Sequence, residues 1–140
     1  MSNNDDLDEG EMLRLLLEAC PQLQFALLQV MQEHGNDPDA RIDLLFPPLT
    51  DLMLDMLMSR DDDSLRRVFE VIERLNRDGN ATVQRYATLH LLDSLQQVYT
   101  PSGGAMGEAF HSYLGFISAH RWERLAEHRA GRISEEEDFS

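Results

Sequence analysis

Residues 61–80 read DDDSLRRVFEVIERLNRDGN, and this stretch decides the fold. Its apolar residues recur at three- and four-residue spacing, which places them on one face of an α-helix: Leu65, Val68, Phe69, Ile72 and Leu75. Asp61-Asp62-Asp63-Ser64 precede them, and each of these residue types favours a helix N-cap. Asn76 to Asn80 contain Asp-Gly and end the pattern, so the stretch predicts an amphipathic helix followed by a short turn.

Apolar residues at helical spacing also lie on both sides of this stretch. They predict helices over residues 7–20, 21–34, 49–59, 81–99 and 105–130, with a turn at 36–39 and a short helical turn at 42–46 that stops at Pro47-Pro48. These prolines can also open the helix that follows them. No segment alternates with a period of two for long enough to form a strand. The sequence therefore predicts an all-α fold of five or six helices. They would pack as antiparallel helical hairpins, in either a HEAT-like stack or a compact irregular bundle.

The chain is strongly acidic, with a net charge of −14 from 26 acids and 12 bases, all of them arginine. Nucleic acids and anionic membranes are bound mainly through Lys and Arg, so neither is an expected partner. A basic protein is the natural electrostatic partner of such a chain. The sequence gives no indication of the oligomeric state.

Acidic residues are concentrated at both ends of the chain. We expect a disordered acidic N-terminus at 1–6, a single helical domain at 7–131 and a disordered acidic tail at 132–140. Cys20 is the single cysteine, which excludes an intramolecular disulfide. No signal peptide or membrane-length apolar run is present, so a cytoplasmic location is expected.

Five aspartates are the candidate partner-binding residues: Asp51, Asp55, Asp61, Asp62 and Asp63. Asp51 and Asp55 share one face of an otherwise apolar helix, and the other three follow soon after. In one interpretation they form an acidic patch that receives Arg and Lys side chains of a basic partner. In the other they are an exposed helix edge followed by a helix cap.

The sequence predicts no catalytic residue, no metal site and no cofactor. Glu108 and His111 make a single Glu-x-x-His motif, whereas a di-iron bundle needs that motif on two helices. His120, Glu123 and Glu127 lie on neighbouring turns with Arg121 and Arg124, a pattern that ordinary ion pairs explain. The chain is therefore not expected to be an enzyme.

The segment from Leu65 to Leu95 also carries a family resemblance. It reads Leu-x-x-Val-Phe-x-x-Ile-Glu-x-Leu, then Asp-Gly-Asn, then a Val followed by Leu-Leu-Asp-Ser-Leu. This resembles a broad group of small bacterial helical domains that look like the immunity proteins encoded beside polymorphic toxins. The resemblance covers about a quarter of the chain. It implies a stacked-helix fold and a toxin-neutralising role, with no catalytic residues.

Two functions therefore stand as hypotheses. The first is an immunity or inhibitor protein that neutralises a basic bacterial toxin by blocking its surface. The second is a small adaptor or secretion chaperone without catalytic activity, which covers an apolar segment of its partner. The first predicts strong salt dependence of binding, and the second predicts a large exposed apolar patch with weak salt dependence.

Overall fold

The computed structural model describes residues 6–35, 38–97 and 107–129, and these ranges are helical almost throughout. The elements in chain order are α1 (Glu9–Ala19), α2 (Leu23–His34), a first 3-10 segment (Pro38–Leu45), α3 (Phe46–Met58), α4 (Asp62–Asp78), α5 (Ala81–Arg85), a π-helical segment (Tyr86–Leu92), α6 (Asp93–Gln96), a second 3-10 segment (Gly107–Tyr113) and α7 (Phe116–Arg129). The predicted all-α class is confirmed. Because α5, the π-helical segment and α6 are continuous, the described ranges hold six helices, within the predicted five or six.

Some predictions concern residues outside the described ranges. The acidic ends predicted at 1–6 and 132–140 lie outside them, apart from Asp6. The turn predicted at 36–39 lies outside them in its first two residues, and the first 3-10 segment begins at Pro38. Gly35, directly before that turn, ends α2 with a φ of 101°, a left-handed conformation that glycine adopts at little cost.

Helix α4 is the centre of the molecule. Its predicted apolar face is buried in full: Leu65, Val68, Phe69, Ile72 and Leu75. Helices α1, α3, α5 and α7 and the π-helical segment all pack against α4. In a helical solenoid each repeat contacts only its neighbours in the chain. Because α1 and α7 come from opposite ends of the chain and both contact α4, the arrangement is a compact irregular bundle, one of the two predicted.

One predicted helix boundary is shifted and another is wrong. Pro47 and Pro48 open the next helix, as predicted, but they lie inside the first turn of α3, which begins at Phe46 rather than Leu49 and follows the first 3-10 segment directly. Backbone N–H groups in a first turn have no intrahelical acceptor, so proline loses nothing there. The helix predicted over 105–130 is divided, because the second 3-10 segment ends at Tyr113 and α7 begins at Phe116.

The beginning of the described chain is held against the turn between α4 and α5. The Leu7 N–H donates to the Asp78 carbonyl over 2.9 Å, and the Asn80 N–H donates to the Leu7 carbonyl over 2.9 Å. Gly79 lies inside this bridge, and a Cβ there would come within 2.5 Å of the Leu75 carbonyl oxygen and of Val83 Cγ1. The turn therefore needs glycine for close packing.

We expect Gly79→Ala to destabilise the protein by about 1–3 kcal/mol, because the added methyl group forces the backbone apart. Urea unfolding followed by circular dichroism measures the change. Gly10→Ala is the matched control, since a Cβ at Gly10 meets only Asp8 Oδ1 at 3.5 Å, and it should stabilise α1 by about 0.5 kcal/mol. Equal stability of the two variants would contradict this account of the turn.

Candidate functional site

Helix α3 exposes an acidic strip with an apolar end. Asp51, Asp55 and Met58 are spaced by four and three residues, so they lie on one face of the helix, and all three are exposed. Met58 is 52% exposed. Neither carboxylate forms a hydrogen bond or ion pair with another residue in the described ranges. We call these three residues the α3 strip.

The opposite face of α3 is apolar and anchors the helix. Leu49, Met53 and Met56 are buried in the core, so two of the three methionines of this helix fill space inside the bundle. A methionine that is left on the surface, as Met58 is, can adapt its flexible side chain to the shape of a partner. The sequence alone did not separate Met58 from the two core methionines.

The three aspartates that follow α3 have different roles. Asp61 is the N-cap of α4, where its Oδ1 accepts the Ser64 N–H over 3.3 Å. Hydrogen bonds from the Ser64 side chain and backbone lower the pKa of Asp61. Asp63 lies exposed in the first turn of α4 and has no hydrogen-bond partner among the described residues. Its negative charge interacts favourably there with the positive, N-terminal end of the helix dipole.

Asp62 is engaged with a distant part of the chain. The Tyr113 hydroxyl donates to Asp62 Oδ1 over 2.6 Å, which fastens the second 3-10 segment to the start of α4. The same hydrogen bond is the main reason that the pKa of Tyr113 is raised. Of the five predicted partner-binding residues, Asp61 and Asp62 therefore form hydrogen bonds that stabilise the fold. Asp51, Asp55 and Asp63 are exposed and form no side-chain hydrogen bond to a described residue.

A polar network runs through the middle of the bundle. Glu73 Oε2 accepts the Ile117 N–H over 3.0 Å, and Oε1 accepts the Ser118 N–H and hydroxyl, each over 2.8 Å. Asn76 Nδ2 donates to Ser118 Oγ over 3.2 Å, and Thr88 Oγ1 donates to Asn76 Oδ1 over 3.1 Å. Ser118, Asn76 and Thr88 are buried, so each polar group needs these partners. The network joins α4, the π-helical segment and α7.

Glu73 also explains why the last helix is divided. In a continuous helix the N–H groups of Ile117 and Ser118 would donate to the carbonyls of Tyr113 and Leu114. They donate to the Glu73 carboxylate instead, and the first N–H of α7 with a backbone acceptor is that of Ala119. The carboxylate thus takes the place of an N-cap side chain, supplied by another helix.

The pKa of Glu73 has two opposing influences. Burial alone would raise the pKa, but the hydrogen bonds from Ile117 and Ser118 outweigh burial and lower it from its ordinary value of 4.5. A carboxyl group with a lowered folded-state pKa takes up a proton on unfolding at acidic pH. Its stabilisation is therefore complete above pH 4.5 and is lost as the pH falls through the lowered value.

An aromatic cluster lies where the π-helical segment meets α3. The ring centroids of Phe46 and Tyr86 are 5.3 Å apart, and those of Tyr86 and His90 are 5.1 Å apart. Phe46 is buried beneath the other two, and His90 is exposed. Burial raises the pKa of Tyr86, and the negative charges of Asp43 and Glu9 raise it further. A planar cationic side chain can stack on such a surface.

Sequence reasoning missed both the polar network and the aromatic cluster. Tyr86 and His90 are four residues apart, which is compatible with an ordinary α-helix and gives no sign of a π-helical segment. π-helical turns occur frequently at functional sites, so Tyr86 and His90 are candidate functional residues in addition to the α3 strip. For the network, the only available signal was Ser118, a polar residue among the apolar positions of the last helix.

Within 6–35, 38–97 and 107–129, no group of three or more His, Cys, Asp or Glu side chains is placed to hold a metal ion. Burial raises the pKa of Cys20, which disfavours the reactive thiolate. His120 and Glu123 line an open groove beside Phe116, whereas the Glu108 side chain lies outside the described part.

The fold and these surfaces define an all-helical domain with charged outer faces. Residues 13–129 match the family described as "Domain of unknown function (DUF7674)", and the chain belongs to this family. No curated protein and no solved structure matches the chain. Among the helices of the described ranges, none has the length and apolar character that crossing a membrane requires. The predicted resemblance to immunity proteins stays a prediction.

We expect Glu73→Gln to destabilise the protein by about 1–3 kcal/mol at neutral pH, because an amide NH2 group would face the N–H donors of α7. The difference from wild type should shrink as the pH falls from 4.5 through the lowered pKa, because the wild-type carboxyl group is protonated first in the unfolded chain and then in the folded one. Urea unfolding at a series of pH values measures the difference in free energy of unfolding between the variant and wild type. Glu70→Gln, an exposed neighbour on α4, is the control and should change little. A pH-independent difference would be evidence against the capping role.

Proposed function

We propose that this protein is a protein-binding module that neutralises a basic bacterial toxin by covering its surface, as an immunity protein does. The observation that carries the proposal is the α3 strip. It presents two carboxylates without a partner among the described residues, next to an exposed methionine on the same helix face. Charge on the surface steers a basic partner, and the apolar group stabilises the contact once water is excluded.

The five predicted partner-binding aspartates divide in this proposal. Asp51, Asp55 and Asp63 contact the basic partner, because their carboxylates are exposed and make no hydrogen bond to the described residues. Asp61 and Asp62 act indirectly, by capping α4 and by fastening Tyr113 to it. Arginine side chains of the partner would bind the free carboxylates in the bidentate geometry that makes such pairs strong.

The remaining parts of the proposal follow from the same features. The protein acts by steric and electrostatic blocking, without catalysis and without a cofactor, metal, nucleic acid or membrane. We place its action in the cytoplasm of a bacterium, where an immunity protein meets its toxin. The overall charge of −14 supports rapid encounter with a basic partner and predicts that encounter slows as salt is added.

A second candidate function rests on helix α2. Phe25 and Leu28 lie three residues apart on that helix and are 77% and 49% exposed. Large apolar side chains next to each other on a surface mark contacts with apolar segments of other proteins. This pair supports the alternative of a small adaptor or secretion chaperone. Its binding would depend little on salt.

The first proposal is tested by capture from a lysate of the source organism at low salt, with elution at high salt. A basic protein should be captured by wild type, and about tenfold less by the double variant Asp51→Arg/Asp55→Arg, because both charges at the contact are reversed. Expression of the captured protein alone should arrest growth, and co-expression with wild type should restore it. The double variant should not restore growth.

The control variant is Glu33→Arg/Glu123→Arg, which changes the net charge equally on α2 and α7 and should keep both capture and growth rescue. Circular dichroism of all variants checks that they fold. Loss of rescue in both double variants would mean that only total charge matters, and the α3 strip would be wrong as the interface. A captured protein that is harmless when expressed alone would refute the toxin and favour the adaptor.

A further inference from the structure

A groove runs between α1 and α4, and none of the residues proposed to contact the toxin lines it. Its volume is about 310 Å³, and its apolar lining comes from Leu15 and Ala19 of α1 and Val71 of α4. Arg67 and Arg74 of α4 also line it, together with Glu18 and Glu70. The groove is open along both helices rather than closed over, so it suits an elongated occupant better than a small molecule. We call it the α1–α4 groove.

The two arginines of this groove form no ion pair with another described residue. The Arg74 guanidinium makes no hydrogen bond to a described residue, and Arg67 donates to the Ser64 hydroxyl over 3.1 Å. The carboxylates of Asp61 and Asp78 attract Arg67 and Arg74, respectively, from a longer distance. Glu18 is paired with Arg14 over 3.0 Å, so it contributes little net charge. Glu70 offsets one of the two arginines in part.

Two further arginines lie on the same helix beyond the groove. Arg66 and Arg77 are also exposed on α4, and Arg77 is paired with Asp78 over 2.9 Å. Helix α4 carries these four arginines together with five acids: Asp62, Asp63, Glu70, Glu73 and Asp78. At physiological salt, charges more than about 8 Å away are largely screened, so a ligand in the groove interacts mainly with the charges that line it rather than with the overall negative charge.

We propose that the α1–α4 groove binds an acidic amphipathic helix of a second protein partner. Arg67 and Arg74 are seven residues apart, which places them about 10.5 Å apart along α4. Two carboxylates at positions i and i+7 of a bound helix have the same separation. Leucines at i+3 and i+4 of that helix would lie between them and contact Leu15, Ala19 and Val71.

The apolar lining argues for a peptide rather than a nucleic acid. A phosphate backbone would meet the two arginines but would not cover the apolar edges that Leu15, Ala19 and the partly exposed Val71 present to the groove, and it would be repelled by the acidic remainder of the chain. A helix with leucines between two carboxylates satisfies both the charges and the apolar surface. The protein would then have two interaction faces of opposite preference, the α3 strip for a basic partner and this groove for an acidic one.

The test uses two labelled helical peptides with full-length protein. One peptide has Glu at i and i+7 and Leu at i+3 and i+4 in an Ala- and Gln-rich background, and the other has Lys at the two Glu positions. Fluorescence anisotropy should show that wild type binds the Glu peptide. Binding should weaken by about tenfold or more in Arg67→Glu/Arg74→Glu, because each lost contact is a charge-assisted hydrogen bond.

Two further variants keep this test decisive. Arg60→Glu/Arg85→Glu changes the net charge equally outside the groove, and it should bind the Glu peptide nearly as well as wild type. Arg67→Gln/Arg74→Gln serves if the double Glu variant does not fold by circular dichroism, and it should also weaken binding. No binding of the Glu peptide by wild type, or the same loss in both charge-reversal variants, would refute the groove. Neither result bears on the α3 strip.

Discussion

The carboxylate of Glu73 determines where the last described helix begins and how it is joined to the bundle. The N-terminus of a helix leaves N–H groups without intrahelical acceptors, and a partly buried helix start can satisfy them only in part with water. Glu73 supplies acceptors from α4, so α7 begins where this carboxylate lies rather than where its own sequence would start a helix. Asn76 and Thr88 extend the same chain of hydrogen bonds to the π-helical segment. Three elements are thereby fixed to one another by a few polar groups inside an apolar core.

A bundle fixed in this way can carry different surfaces on different helices. On α3 the exposed charges are acidic and lie beside one methionine, whereas α4 exposes four arginines together with three acids near its start and middle. Asp61 lies between these helices, and its carboxylate caps the N-terminus of α4. Segregated charge of this kind orients a molecule as it approaches a partner, even when the total charge is large and of one sign. The proposed interfaces both depend on this separation.

Much of the fold could be predicted from the sequence, and the reason is local. In α4, periodic apolar residues with a capping residue at each end predicted both the buried face of the helix and where it begins and ends. The same kind of pattern predicted helices at α1 and α2. The division of the last helix could not be predicted, because its cause is Glu73, more than forty residues earlier in the chain. Among the aspartates, nothing local distinguishes Asp62 from Asp63. Only the fold brings Tyr113 to one of them, across fifty-one residues.

The π-helical segment has a consequence for the register of the bundle. A π turn contains one more residue than an α turn, and one residue corresponds to a rotation of about 100° around the helix axis. Everything after Tyr86–Leu92 is therefore turned relative to α5, although the helix does not break. In this register Leu95 lies in the core and Gln96 Nε2 donates to the Trp122 carbonyl over 2.7 Å. A related chain one residue shorter in this segment would rotate Leu95 out of its core position and Gln96 away from Trp122, so the length of the segment is a constraint that apolar patterning alone does not reveal.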